Sequence, residues 1–360
     1  MKIGIIHGYV GGGGGTEKTL YSILDALENS KHSITLYTFS KPKIKSKKIK
    51  IKTILPLTIP FFGLYQRAME SKLISKAQNE DILIQASGGL GIPVVPTQKI
   101  IVYCHSDFSN ELENPSTKYK GIWSIYYKLY YNMLNKFVNN LSNPQIFLAS
   151  NSEFVHNSIK SKYDKDSEII YPPVDLDEFD SKNKKNQIIS IGRFSEEKNF
   201  EFGIDVVSKL NLPYQIIGNT KTNSNIHYYK TLKSKIKNLN LESEIKLLKN
   251  VDRSDLVMCL NYSKVYFHCS KETFGISVVE SIAAGCIPIV PNSSAHKETV
   301  PFEELRYKEN DFSDAQNKIE KAISGELDFI KKPLQDSIKK FSKEKFQQSF
   351  LILIDKLSKV

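Results

Sequence analysis

Residues 2–39 read KIGIIHGYVGGGGGTEKTLYSILDALENSKHSITLYTF. Lys2–His7 is a short apolar run of the buried-strand type, Thr16–Glu28 an amphipathic helix, and Ser33–Phe39 a second apolar run. A glycine loop, Gly11–Gly15, separates the first strand from the helix. Strand, loop, helix and strand in that order form a βαβ unit. The same rhythm returns at Asp81–Gln85, Ile100–Cys104 and Ile146–Ala149, each a near-continuous apolar run. Such runs predict a parallel sheet covered on both faces, hence an α/β fold.

The rhythm pauses at Tyr171–Asp175 (YPPVD), where two prolines remove two backbone donors, and at the polar run Ser181–Asn186. It restarts with strands expected at Gln187–Ile191, Tyr214–Ile217, Glu244–Leu247, Lys264–His268 and Ile287–Val290. Two doubly wound, Rossmann-like domains are therefore expected, over residues 1–171 and 172–335. The length of 360 residues agrees with a prior of ~150 per domain. Pro333–Leu357 has one apolar face (Phe341, Phe346, Phe350, Leu353, Ile354, Leu357), which predicts a C-terminal helix over about 336–360.

Composition narrows the function. With 25% charged and 40% hydrophobic residues the chain reads as globular. No run approaches the ~20 apolar residues of a membrane span, and the N-terminus reads as a first strand and loop rather than a secretory leader. The four cysteines lie apart in apolar contexts with no CxxC pair, which points to reduced thiols and a cytoplasmic protein. Cys104-His105 and His268-Cys269 are adjacent pairs, which a strand points to opposite faces, so no zinc site is expected. The net charge of +11 is mostly in the first half, +8 before Tyr171 and +3 after it. Seven lysines fall within Lys41–Lys52, next to the apolar Ile54–Leu64. That pairing suits an anionic membrane surface, as does Ile122–Leu141 with Trp123, Tyr126, Tyr127, Tyr130 and Tyr131 between Lys128 and Lys136. A solvated edge strand and a core helix are the alternative readings of these two stretches. The basic run lacks the interleaved aromatics of a nucleic-acid site, so no nucleic-acid partner is expected.

Three loops carry candidate chemistry. Gly11–Gly15 meets neither GxGxxG nor the P-loop pattern, because Glu17 stands where the latter needs glycine. It remains a loop on which a diphosphate can approach the backbone, or else a flexible turn. Gly192–Asn199 (GRFSEEKN) follows the first strand of the second domain and offers Arg193 and Lys198 to an anion, unless Glu196 and Glu197 neutralise them. Lys271–Glu280 (KETFGISVVE) places Glu272 in a loop and Glu280 about one turn into a helix, with the amides of Phe274, Gly275 and Ile276 at its start. Amides and cations suit phosphates, and carboxylates suit vicinal hydroxyls, so the set suggests a nucleotide sugar. A dipole-favoured helix charge is the alternative for Glu280. Asp175-Leu176-Asp177 follows the prolines and reads as a helix start rather than a metal motif.

Taken in order, Gly14-Gly15-Thr16-Glu17, Gly192-Arg193 to Lys198, and Glu272 to Glu280 resemble the GGxE, G-R-x(4)-K and E-x(7)-E motifs of the retaining GT4 glycosyltransferases. The phrases YCHSDF, YPPVD and ETFGISVVE look most like the ALG11/ALG2-type mannosyltransferases, which extend lipid-linked oligosaccharides on the cytoplasmic face of a membrane. The resemblance implies a GT-B fold, two Rossmann-like domains facing a central cleft, with Pro172–Pro173 as a hinge and the C-terminal helix, about 336–360, packed back on the first domain. It implies metal-independent transfer of a hexose, mannose from GDP-mannose being favoured, to a glycan or polyprenyl-linked acceptor. By that resemblance Gly14 and Gly15 admit the donor diphosphate, and Arg193 and Lys198 stabilise it as it leaves. Glu272 holds a sugar hydroxyl, Glu280 the ribose, and Phe274, Gly275 and Ile276 give backbone contacts. On spacing alone a lone His105 at a strand end reads as structural; the resemblance instead implies a place beside the reacting carbon. One departure is Asn292-Ser293-Ser294 leading to Glu298, where the family has Gly-Gly before Glu. A sugar-nucleotide epimerase, a phosphorylase-like enzyme and a non-catalytic nucleotide-sugar module are the alternatives.

Overall fold

A computed structural model describes residues 1–8, 10–11, 14–39, 41–42, 44, 46–54, 72–87, 98–108, 124–125, 128, 132, 138–181 and 184–359. The chain divides into two compact units, Met1–Pro173 with Glu344–Val360, and Val174–Lys343.

Unit 1 is a parallel sheet of β1 (Lys2–Ile6), β2 (Ser33–Thr38), β3 (Ile49–Thr53), β4 (Ile82–Gln85), β5 (Lys99–Cys104), β6 (Ile146–Ser150) and β7 (Ser167–Ile169). Their order is β3-β2-β1-β4-β5-β6-β7. β1 pairs with β2 from Lys2↔Ser33 to Ile6↔Tyr37 and, on its other side, with β4 from Ile3↔Ile82 to Ile6↔Gln85. The order therefore reverses between β1 and β4, and a sheet of this kind offers its ligand crevice at the carboxyl ends beside such a switch. Helix α1 (Gly15–Glu28) turns Leu20, Ile23, Leu24 and Leu27 onto Ile3 and Ile5, all buried. Helix α2 (Glu153–Tyr163) starts at the Ser152 cap, whose hydroxyl accepts from the Val155 amide at 3.1 Å.

The C-terminal helix, Lys343–Lys359, belongs with unit 1 from Glu344 onward. Phe346, Phe350, Leu353, Ile354 and Leu357 recur along one face and join the core cluster of Ile3, Ile5, Leu20 and Ile101. The helix starts at Lys343, not near 336, and the helical pattern read from Pro333 onward is broken. Ser342 is extended and forms a bridge with Val174, whose carbonyl accepts from the Lys343 amide at 2.9 Å. A backbone pairing with the first residue of unit 2 thus ends one helical segment before the next begins.

Unit 2 repeats the plan with β8 (Lys185–Ile191), β9 (Tyr214–Gly218), β10 (Ile245–Lys249), β11 (Ser263–Phe267), β12 (Ile287–Pro291) and β13 (Arg306–Tyr307), all parallel. The order is β10-β9-β8-β11-β12-β13, so the reversal lies between β8 and β11. Its helices are α3 (Phe200–Val207), α4 (Asn223–Asn238), α5 (Arg253–Tyr262), α6 (Ile276–Ala283), α7 (His296–Thr299), α8 (Phe312–Ser324) and α9 (Lys331–Ser337). The GRFSEEKN loop leaves β8 and the KETFG loop leaves β11, so the two strands at the switch point carry both. Asp175-Leu176-Asp177 enters a single 3-10 turn, Leu176–Glu178.

The lysine-rich stretch contains β3, whose residues alternate Ile49 and Ile51 inward with Lys50 and Lys52 outward at the sheet edge. Exposed lysines on an edge strand block pairing with another sheet, the alternative the sequence offered. Lys43 and Lys45 fall outside the described residues, as do 55–64 and, within 122–141, Trp123, Tyr126, Tyr127, Tyr130, Tyr131 and Lys136.

Candidate active site

In unit 2 a charged cluster is built from the ends of β8 and β11. Gly192 leaves β8 with its amide on the Ile217 carbonyl at 3.0 Å. The loop then makes a 3-10 turn, Glu196–Lys198, and Asn199 (φ +50°) enters α3 from the left-handed region, which asparagine tolerates. This turn aims Lys198 inward, where its ammonium pairs with the Glu272 carboxylate. Arg193, five residues earlier, points outward and pairs with Glu197 at 2.5 Å, both more than half exposed. The two cations of the motif therefore differ: one is in the cluster, the other is on the rim in a surface pair, which contributes little on its own.

Glu272 has a second partner in His268, Nε2 to Oε1 at 3.2 Å. Burial alone would raise its pKa, but the bond to His268 and the charge of Lys198 prevail and hold it well below the usual carboxylate range. His268 is itself held by Tyr266, whose hydroxyl is 3.1 Å from Nδ1 and donates to Ser277 Oγ at 2.8 Å. The backbone of Glu272 is also fixed. Its amide donates to Ser294 Oγ at 3.2 Å, and the Ala295 amide donates to its carbonyl at 3.2 Å. Ser294 adopts φ +50°, a left-handed geometry that glycine takes more readily. This is where the sequence departs from the Gly-Gly pattern, and here a serine takes that geometry and spends its hydroxyl on the Glu272 loop. Buried His296 closes the back of the cluster with Nε2 3.0 Å from the Ser270 carbonyl, its pKa pushed down to about 3 by burial and by His268 beside it.

Phe274, Gly275 and Ile276 lead into α6. Gly275 caps the helix at φ +87°, and a Cβ there would lie 3.2 Å from Val278 Cγ2, so the turn requires glycine. Phe274 is buried edge-on to Phe341 with centroids 5.1 Å apart. Glu280 lies past the first turn of α6 and is buried, with Oε1 2.8 Å from Arg253 Nη2. The same guanidinium engages Glu178 through Nε at 2.9 Å and Nη2 at 2.5 Å. Burial opposes the Arg253 charge, but the two carboxylates more than offset it and its pKa is raised.

In unit 1 the described residues after β1 and β5 include Gly14, Gly15, Glu17 and His105. Gly14 caps α1 at φ −99° and ψ −179° and a Cβ added there would meet nothing within 4 Å. Gly15 opens the helix, while Gly12 and Gly13 fall outside the described residues. Buried Glu17 folds back to accept from the Gly11 amide, so the carboxylate that breaks the P-loop pattern ties the glycine loop to its helix. His105 follows β5. Its Nε2 is 3.0 Å from the Ala86 carbonyl, a contact that needs the proton on Nε2, and burial lowers its pKa. Tyr103 packs edge-on against the His105 ring at 5.0 Å, and Asn151 Nδ2 donates to the His105 carbonyl at 3.1 Å. Among the described residues, no group of His, Cys, Asp or Glu is arranged to hold a metal ion, and no helix is long and apolar enough to cross a membrane.

Sequence reasoning did not single out His268 as a partner of Glu272, nor Arg253. His268 was available from its four-residue spacing to Glu272. Arg253 lies in no motif, and only the topology, which brings α5 beside α6, reveals it.

Residues 174–345 match the family model described as Glycosyl transferases group 1. A GDP-Man:Man(3)GlcNAc(2)-PP-Dol alpha-1,2-mannosyltransferase of Dictyostelium discoideum is 26% identical over 69% of this chain and 54% of its own length. The Mus musculus protein of the same name is 28% identical over 58% of this chain and 48% of its own. The chain thus spans about half the length of the curated relatives it matches. Among solved structures, sucrose-phosphate synthase of Thermosynechococcus elongatus superposes with TM-score 0.78 at 13% identity, covering 99% of this chain and 98% of that one. Anabaena HepE, solved with UDP and glucose, superposes with TM-score 0.71 at 15% identity over 99% of each chain. The two parallel-sheet, Rossmann-like units and these neighbours give the fold class as GT-B, and residues 174–345 match the Glycosyl transferases group 1 model.

Proposed function

We propose that the chain is a retaining glycosyltransferase that moves a hexose, mannose from GDP-mannose, onto a glycan or lipid-linked glycan. The observation that carries this reading is the Lys198–Glu272–His268 cluster at the start of α6. A cation and a hydroxyl-accepting carboxylate are held in one place, beside amides at a helix start. That combination matches the two ends of a nucleotide sugar, its anionic diphosphate and its neutral ring hydroxyls.

Lys198 and Glu272 neutralise each other when paired. A bound donor offers each a better partner: the diphosphate takes Lys198, and a sugar hydroxyl donates to Glu272. As the glycosidic bond breaks, negative charge grows on the leaving nucleoside diphosphate. Lys198, Arg193 swinging from Glu197, and the first amides of α6 stabilise that charge, and stabilisation that grows in the transition state is what accelerates the reaction. Two cations and a helix start supply the positive charge for which many transferases use a divalent ion, so the reaction runs without metal. Glu280 receives the ribose, and the Gly14–Gly15 backbone admits the diphosphate. A Cβ at Gly14 would meet no described atom within 4 Å, which supports room there for a ligand. His105, with its Nε2 proton on Ala86, lies beside the reacting carbon. The acceptor then attacks from the face the diphosphate leaves, with retention of configuration.

The curated relatives are named for a dolichyl-diphosphate acceptor and GDP-mannose, which favours a polyprenyl-linked acceptor and that donor here. Exposed Lys47, Lys48, Lys50 and Lys52 would meet an anionic cytoplasmic leaflet at ~1 kcal/mol per lysine. Sedimentation with phosphatidylserine vesicles tests that part; equal recovery with neutral vesicles would contradict it.

The test of the reaction is turnover with GDP-mannose, GDP-glucose, UDP-glucose and UDP-N-acetylglucosamine, with and without EDTA. Release of nucleoside diphosphate from one of them, unaffected by EDTA, is expected. Release without any acceptor and with change of the sugar would favour an epimerase. Absence of stabilisation by every nucleotide and nucleotide sugar would contradict the donor-site assignment.

A further inference from the structure

Arg253 belongs to none of the three motif loops, yet it contacts a donor-site glutamate directly. It is the first residue of α5, immediately after the β10 loop. Its guanidinium is a planar fork with Nε and Nη2 both on Glu178, at 2.9 and 2.5 Å. The second hydrogen of Nη2 reaches Glu280 Oε1 at 2.8 Å. The face of the guanidinium lies 5.4 Å from the Phe179 ring centroid, a cation–π arrangement. Glu178 and the ring therefore fix the plane of the fork, and the fork fixes Glu280, the least exposed of the three at 5%. A lysine could balance the charge but could not hold two carboxylates in one plane.

The geometry points to Arg253 as a positioning residue that sets the Glu280 carboxylate for the cis-diol of the donor nucleoside. This rests on the donor-site reading above. Two carboxylates share one guanidinium, so the three groups together carry one negative charge. Such a cluster repels a phosphate and accepts from neutral hydroxyls, which makes the ligand group a diol rather than the diphosphate. A buried carboxylate also loses less by accepting hydroxyl protons when its orientation is already fixed, since no ordering remains to be done on binding.

The experiment measures calorimetric affinity of the full chain for GDP and UDP and for their 2′,3′-dideoxy forms. It compares the wild type with Glu280→Gln, Arg253→Met, Arg253→Lys and Glu178→Gln. The preferred ribonucleotide should bind about tenfold more weakly to Glu280→Gln and to Arg253→Met, the size of one lost charge-assisted hydrogen bond. Its dideoxy form should bind all the proteins alike. Arg253→Lys should fall between wild type and Arg253→Met. In turnover, Arg253→Met should raise KM for the donor and leave kcat near wild type, since the diol contact is the same in ground and transition states. Equal losses for ribose and dideoxy forms, or no loss for either, would overturn the positioning role. If Arg253→Met does not fold, Glu178→Gln decides: a diol-dependent loss of a few-fold supports the role, and unchanged affinity for both forms overturns it. A wild type that binds neither nucleotide overturns the donor site itself, and a silent Glu280→Gln overturns its ribose contact; both results differ from failure of Arg253 alone.

Discussion

Two helices that follow strand ends begin at glycines, one in each unit, and the glycines are there for different reasons. Gly275 stands at φ +87° with Val278 close behind it, so the turn into α6 cannot form comfortably with another residue. Gly14 stands at φ −99° with open space where a side chain would go, so α1 needs no glycine. The surroundings differ in the same way. The α6 start is ringed by Lys198, Glu272 and His268, already paired with one another. At the start of α1, Glu17 is spent on the Gly11 amide, and His105 after β5 is lowered in pKa by its burial. Among the described residues, the α6 start thus holds an ion-paired cluster, and the α1 start holds glycine backbone with Glu17 folded onto it. The chain's surplus of positive charge before Tyr171 includes the exposed Lys41, Lys47, Lys48, Lys50 and Lys52, at and before the β3 edge.

The largest expected effect separates the two cations from the fold. Arg193→Ala with Lys198→Ala should cut turnover by at least ~10²–10³-fold, the scale of losing donors that stabilise transition-state charge, with an unchanged circular dichroism spectrum. Near-normal turnover would remove the distinction between the units. Next, Phe350→Ala in the C-terminal helix should destabilise unit 1 by ~3–5 kcal/mol in urea unfolding, because a fully buried ring is replaced by a cavity. A smaller loss would show that this helix is an appendage rather than core. Third, the glycines can be exchanged. Gly275→Ala should cost ~1–2 kcal/mol for its left-handed geometry. Gly14→Ala should change stability by under about 0.5 kcal/mol while weakening nucleotide-sugar binding. Equal destabilisation by the two would contradict the contrast drawn above.

The smallest effect is on pH dependence. The Glu272 pKa is lowered in the folded state, so its ionised form stabilises the protein above the unfolded carboxylate value of 4.5. Below that value the unfolded chain takes up the proton first, and the contribution is lost as pH falls toward the folded value. The melting-temperature gap between wild type and Glu272→Gln should therefore be constant from pH 7 to 5 and shrink below about 4.5. A gap that widens on acidification would mean that the carboxylate is held in its neutral form.

The repeated βαβ pattern was legible because buried parallel strands are almost purely apolar. The short edge strands were not. β7 and β13 are three and two residues long and carry no run that stands out. The break at Ser342 was invisible for another reason: apolar spacing continues through it, and only the pairing with Val174 interrupts the helix. In the site, the motif spacing gave Lys198 and Glu272 but could not say that they face each other while Arg193 turns to Glu197. That depends on a 3-10 turn of three residues. Ser294 shows the limit most clearly. A missing Gly-Gly pair reads as a lost contact, whereas the chain keeps the left-handed geometry and adds a hydroxyl bond to the Glu272 amide.

The central claim is that Lys198 and Glu272 exchange each other for the two ends of a nucleotide sugar. Calorimetric affinity for the nucleoside diphosphate alone, in Lys198→Ala and Glu272→Gln, tests it most directly. Lys198→Ala should bind about tenfold or more weakly, having lost a charge-assisted bond to phosphate. Glu272→Gln should bind as tightly as wild type or tighter, because Lys198 is released from its carboxylate, and yet should lose turnover with the nucleotide sugar. Equal weakening in both variants, or no change in either, would contradict the exchange.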